Sequence, residues 1–248
     1  MPMSWPYPFW IAHRGAGKLA PENTLAAFRL GAQHGYRAFE CDVKLSADDV
    51  PFLLHDAALA RTTQVEGVAG ERPWSALSQL DAGGWHSRRY AGEPMPTLAA
   101  IAHYVRRNRF ALNIEIKPTP GHDERTGRVV ARDAARLWMH DPRPPLLSSF
   151  QPLALQAAQE AAPALPRALL LDRLWDGWQQ AARSLGCVAV VADQVLLDRA
   201  LIAQLHAQGW RALAYTVNDE AVARRLREFG IDGLITDAVD QFPPTEPG

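Results

Sequence analysis

Short apolar runs alternate with helix-periodic stretches along most of this 248-residue chain, and no other feature restricts its fold as tightly. The runs FWIAH (9–13), RAFECDV (37–43), LNIEI (112–116), LLSSF (146–150), RALLL (167–171), CVAVV (187–191), RALAYTV (211–217) and GLIT (233–236) read as strands. The stretches 22–34, 98–108, 125–138, 153–161, 173–184, 198–207 and 220–229 carry apolar residues at i, i+3 and i+4 and read as helices. Strands that alternate with helices pair in parallel, each crossover running through a helix. The pattern predicts an α/β fold, a TIM-type (β/α)₈ barrel, and the length suits one such domain over 1–248. An open doubly wound sheet has the same alternation and differs in closure, which periodicity does not report.

One apolar run is left over. PFLLHD (51–56) follows ECDVKL too closely to be its parallel neighbour, because a parallel crossover takes a dozen residues or more. The turn-like Ser46-Ala47-Asp48-Asp49 between them predicts a hairpin rising from the second strand. Residues 57–96 then form a long excursion whose Trp74, Trp85 and Tyr90 favour order, and we expect a small inserted subdomain or cap over the barrel mouth.

Charge narrows the function. With 26 basic and 27 acidic residues the net charge is −1, so no overall field draws in nucleic acid or an anionic membrane. An anionic ligand must be held by a few local cations. Cys41 and Cys187 sit in apolar strand-like runs and read as reduced core thiols. The first residues show no basic region followed by an apolar stretch, and no segment approaches the roughly 20 apolar residues of a membrane span. A cytoplasmic protein without stable membrane association is expected.

Barrel enzymes carry their chemistry at the C-terminal ends of the strands. Here those ends hold His13-Arg14-Gly15, then Glu40 and Asp42, then Glu115 and Lys117, while the hairpin arm ends in His55-Asp56. Side chains alternate along a strand, so Glu40 and Asp42 share one face, as do Glu115 and Lys117, with Cys41 and Ile116 turned toward the helices. Three carboxylates without a thiol suit a hard divalent cation, Mg²⁺ before Ca²⁺. The plainer reading, acids paired with Arg14 and Lys117, leaves three mutually repelling carboxylates in one low-dielectric place. His13 and His55 are of the residue type whose unperturbed pKa suits giving and taking protons near neutrality. Arg14 offers phosphate a planar fork and Lys117 a point charge. Gly15 and Gly17 let backbone approach a ligand. Pro21-Glu22-Asn23-Thr24 reads as a helix start, with a supporting role only. The other six histidines read as surface residues. No nucleophile elbow, Walker loop or dinucleotide fingerprint is present.

The motifs AHRGAGKLAPENTLAAF, ECDVKLS, FLLHD, NIEIKP, PPLLSSF, AYTVN and ITD, in this order over about residues 12–237, resemble the bacterial glycerophosphodiester phosphodiesterases. WPYP, VAGE and NIEIKPT further resemble the cytosolic branch associated with sn-glycerol-3-phosphate import. The resemblance implies a phosphodiesterase barrel with a small insert. It also implies hydrolysis of a small glycerophosphodiester to sn-glycerol 3-phosphate and an alcohol. His13 and His55 would then be the acid–base pair, Glu40, Asp42 and Glu115 the metal ligands, and Arg14 and Lys117 the phosphate contacts. A phospholipase acting on intact lipid and a silent ligand-binding barrel are the competing expectations. The intact set of histidines and carboxylates speaks against the second.

Overall fold

A computed structural model describes residues 5–244, and it answers the question of closure. Eight parallel strands, β1 (Trp10–Ala12), β2 (Ala38–Leu45), β4 (Ala111–Ile116), β5 (Leu146–Ser149), β6 (Arg167–Leu171), β7 (Ala189–Asp193), β8 (Arg211–Tyr215) and β9 (Gly233–Thr236), lie side by side in one sheet. β1 pairs with β9 through Trp10–Leu234, Ile11–Ile235 and Ala12–Thr236, and with β2 through Ala12–Phe39, so the sheet closes on itself. The short β3 (Pro51–Leu53) pairs antiparallel with the end of β2, the hairpin expected from the sequence.

Every residue of β2 is buried, because a barrel strand has side chains inside the cylinder and helices outside it. Cys41 and Ile116 pack in the outer layer with Phe28 of helix α1 (Leu25–Gln33). The inner layer is built from small and branched side chains such as Ile11, Ala168, Val191 and Leu213, and Trp5 and Tyr7 pack against it. The Tyr7 hydroxyl donates to Pro144 O. Cys187 lies just before β7 rather than within it and is buried all the same.

The hairpin arm leads into α2 (Ala60–Thr63) and α3 (Trp74–Leu77). Phe52, Leu54, Leu59, Ala69, Leu77, Ala82 and Met95 form a separate small core here, with Trp74 packed against it. This segment docks on the start of α1, where Glu93 accepts the Ala26 N–H, and His86 Nε2 lies 3.0 Å from Lys18 O.

The remaining helices are α4 (Leu98–Arg107), α5 (Asp123–Leu137), α6 (Pro152–Ala161), α7 (Trp178–Ser184), α8 (Arg199–Ala207) and α9 (Glu220–Glu228). Two sequence-based starts shift for local reasons. α1 begins after Asn23, whose φ of 60° cannot belong to a helix, and Thr24 caps it by accepting the Ala27 N–H. α7 begins only at Trp178, since Gly177 before it sits at φ 89°. The chain after Asp237 reads in sequence as a frayed end. Instead Val239 and Phe242 are buried, Phe242 stacks on Trp10, and the Tyr36 hydroxyl donates to Phe242 O. Among the described residues no helix follows β9, and Pro247 lies outside them.

Candidate active site

Three acids meet at the mouth. Glu40, Asp42 and Glu115 are 2, 1 and 8 % exposed, and each offers an oxygen within 4.8 Å of the others. The β2–β4 register causes this: Asp42 is level with Glu115, and Glu40 lies on the same face one step below. Glu40 Oε1 and Asp42 Oδ1 are buried without a hydrogen-bond partner. Burial, then the charges of Asp42 and Glu115, pushes the Glu40 carboxyl far above its usual range. Burial and Asp42 push Glu115 up to about 7. Asp42 goes the other way: burial works to raise it, but Arg14, Lys117 and the Asn23 amide outweigh that and hold it well below the carboxylate range. Two orphaned, desolvated oxygens beside a third carboxylate are the environment in which a hard divalent cation satisfies the ligands better than protons do. The donor set fits such an ion.

That arrangement has a consequence for stability. In metal-free protein Glu40 and Glu115 hold protons in the folded state that the unfolded chain has released. Folded protein therefore binds more protons above about pH 4.5, and stability falls as pH rises toward and through about 7. His55, shifted down chiefly by burial, works in the opposite direction as a single group. In chelator the Tm should drop by about 3–6 °C between about pH 5.5 and about pH 7.5, and saturating Mg²⁺ should remove most of the drop. A flat or rising Tm in chelator would contradict the clustered, proton-retaining carboxyls.

The cations surround the acids. Arg14 follows β1 at φ 51°, a left-handed turn that sends its N–H to Glu40 Oε2 at 3.1 Å. Its Nη1 donates to Glu22 at 3.0 Å, and its Nε lies 3.2 Å from Asp42 Oδ2 without hydrogen-bond geometry. Lys117, just past β4, donates to Glu115 at 2.8 Å, sits 3.6 Å from Asp42 Oδ1 and lies over the Phe150 ring. Burial would lower the Lys117 pKa, yet Glu115 and Asp42 together raise it, so it stays charged.

Each histidine is gripped at Nδ1 by a carboxylate. His13 Nδ1 lies 2.7 Å from Asp237 Oδ1, and His55 Nδ1 lies 2.7 Å from Asp56 Oδ1. An ionised carboxylate only accepts, so Nδ1 carries the proton and Nε2 is left as the free basic nitrogen. His13 Nε2 is 3.8 Å from Glu40 Oε2. A cavity of about 170 Å³ is bordered by His13, Arg14, Glu40, His55, Glu115 and Lys117, with Phe150, Leu170, Tyr215 and Ile235 as apolar wall. The residues singled out in the sequence thus converge, Asp42 lying behind this surface as part of the carboxylate cluster.

Several partners are not apparent in the sequence. Asp237, 224 positions from His13, is in turn held by Asn218. Asn23 binds Asp42 twice, donating to Oδ2 at 2.8 Å and accepting the Asp42 N–H at 3.1 Å, so it is more than a helix-start residue. Glu22 and Asp56 are joined by Arg61, which donates to both. The signals for Asn23, Asp56 and Asp237 are their places in the motifs AHRGAGKLAPENTLAAF, FLLHD and ITD, which give no role; Arg61 gives none. Gly17 is needed for a different reason than ligand approach: a Cβ there would sit 2.1 Å from Asp237 O. No residue of 57–96 borders the cavity, and among the described residues the segment reaches the site through Arg61.

Known proteins are similar to this chain along most of its length. The model of the glycerophosphoryl diester phosphodiesterase family matches residues 13–241. A glycerophosphodiester phosphodiesterase of Caldanaerobacter subterraneus is 30% identical, over 92% of this chain and 93% of its own length. The structure of an Oleispira antarctica phosphodiesterase, determined in complex with the product sn-glycerol-3-phosphate, is 34% identical with a TM-score of 0.88, covering 95% of both chains. A glycerophosphodiester phosphodiesterase from Agrobacterium tumefaciens superposes with a TM-score of 0.80 at 29% identity, over 95% of this chain and 99% of that one. Similarity that runs from the His13 strand to beyond the Asp237 turn makes this chain a member of the glycerophosphoryl diester phosphodiesterase family, and with it a phosphoric diester hydrolase.

Proposed function

We propose that the protein hydrolyses small glycerophosphodiesters to sn-glycerol 3-phosphate and an alcohol, using a divalent cation and the two histidines. The observation that carries this reading is the pair of imidazoles, each oriented by a carboxylate, facing one cavity with two cations and three clustered acids. The complex of the Oleispira relative with sn-glycerol-3-phosphate supports the choice of substrate.

Glu40, Asp42 and Glu115 would hold the cation, Mg²⁺ in preference to Ca²⁺. When bound, such an ion supplies Lewis-acid polarisation of a phosphoryl oxygen. Arg14 and Lys117 bind the phosphate and neutralise charge growing on its equatorial oxygens. One histidine, neutral, accepts at Nε2 the proton of the attacking oxygen, and the other, in its doubly protonated form, gives its Nε2 proton to the departing alkoxide. Asp237 and Asp56 hold the rings in the required tautomer. We place the chain with the cytosolic branch associated with sn-glycerol-3-phosphate import, on its WPYP, VAGE and NIEIKPT segments. Among the described residues no helix is long and apolar enough to cross a membrane. We read 57–96 as an inserted subdomain that braces the His55-Asp56 arm.

The test is a coupled assay for glycerol 3-phosphate over a panel of diesters, with and without chelator. A cavity of about 170 Å³ holds a glycerol phosphate but not two acyl chains. Choline, ethanolamine and glycerol esters should therefore differ by less than about threefold in kcat/KM. Phosphatidylcholine in mixed micelles should react at least about 10²-fold more slowly. Comparable hydrolysis of glycerophosphocholine and phosphatidylcholine would revive the phospholipase reading.

A further inference from the structure

Below the carboxylates the same cavity ends on a residue that the chemistry above leaves unused. Asn113 lies on β4, two residues before Glu115 on the same face, roughly 6–7 Å deeper in the barrel. It is 4 % exposed and borders the cavity, and its Nδ2 has no hydrogen-bond partner. The orientation of the amide follows from its neighbour. Ser148, fully buried on β5, donates its hydroxyl to Asn113 Oδ1 at 2.9 Å. Among the described residues this is the only hydrogen bond of that hydroxyl, so turning the amide over would orphan the serine proton in the core. The arrangement leaves Nδ2 as the free end of the pair.

A buried amide N–H without a partner has lost its water and gained nothing in return, so a ligand that supplies an acceptor there is favoured. The kind of acceptor is set by the surroundings. Arg14 and Lys117, the groups suited to phosphate, belong to the upper layer; Lys117 is four residues further along the chain. The register partner of Asn113 is Glu40, an acid and not a cation, and Leu170 and Ile235 add apolar wall to the cavity. An uncharged oxygen on a short carbon chain suits that setting, and a phosphate oxygen does not.

We propose that Asn113 Nδ2 is a specificity-determining donor that reads a glycerol hydroxyl, so that the glycerol end of the diester enters the barrel and the alcohol leaves from the solvent side. The proposal rests on the glycerophosphodiester reading and deepens it: Asn113, held by Ser148, decides which end of the substrate is recognised.

Calorimetry on the intact enzyme tests it without relying on turnover. The ligands are glycerol 3-phosphate and its two monodeoxy analogues, 3-hydroxypropyl phosphate and 2-hydroxypropyl phosphate. The wild type should bind glycerol 3-phosphate about 10–100-fold more tightly than one of the analogues. In Asn113→Ala that preference should collapse: glycerol 3-phosphate weakens to the level of the analogue, whose own affinity moves by less than about twofold. Ser148→Ala, which releases the amide, should show the same pattern at smaller amplitude. Equal binding of all three ligands by the wild type overturns the proposal before any variant is made. An Asn113→Ala protein that weakens equally toward all three overturns it too, by showing a structural role. If glycerophosphocholine is hydrolysed in either case, only the Asn113 assignment falls. If the wild type neither hydrolyses it nor binds glycerol 3-phosphate, the glycerophosphodiester reading falls as well.

Discussion

Exhaustive chelation is expected to abolish turnover, with Mg²⁺ restoring it, because the acids at the mouth are a poor environment for themselves. Glu40 and Glu115 are driven toward protonation while Asp42 stays ionised, and two buried oxygens lack any partner. Lewis-acid stabilisation of a phosphoryl transition state is worth several kcal/mol, so the loss should be about 10³-fold or more. Glu40→Gln and Glu115→Gln keep the shape of the site and remove a ligand charge. Each should weaken Mg²⁺ binding in a calorimetric titration and lower activity at subsaturating metal, with partial recovery at high Mg²⁺. Full activity in protein shown by elemental analysis to be metal-free would sink the assignment.

The second large effect is expected from the histidines. His13→Ala and His55→Ala should each reduce kcat by at least about 10²-fold with the fold intact by circular dichroism. Both act in one displacement, so the double variant should be far less impaired than the product of the single losses. The structure adds that neither ring stands alone: oxygens of Asp237 and Asp56 lie 2.7 Å from the two Nδ1 atoms and leave each Nε2 free to take or give a proton. A single variant that kept near wild-type kcat would return that histidine to a structural role.

Much of this was legible in the residue order because its causes are local. Apolar runs and helical periodicity located the eight barrel strands to within a few residues, since a strand covered on both faces must be apolar and an outer helix must be apolar on one. Alternation along a strand placed Glu40 with Asp42 and Glu115 with Lys117, a matter of backbone pleat alone. Where the reading slipped, the reason was backbone geometry that residue type only suggests. Asn23 and Gly177 adopt positive φ and delay two helix starts, and the turns after Asp237 bury Val239 and Phe242.

The alternation, the hairpin arm and the residue types at the strand ends could be read from residue order, because each follows from interactions among neighbours in the chain. Closure was left to the tertiary structure, because it rests on the β1–β2 and β1–β9 pairings between distant segments. The tertiary structure also sets that Asp237 grips His13 across 224 positions and that Arg61 ties Glu22 to Asp56. Above all it decided which buried polar atoms are left unpaired. Glu40 Oε1, Asp42 Oδ1 and Asn113 Nδ2 are marked by the partners they lack, and a missing partner becomes visible only when everything within hydrogen-bonding reach is known.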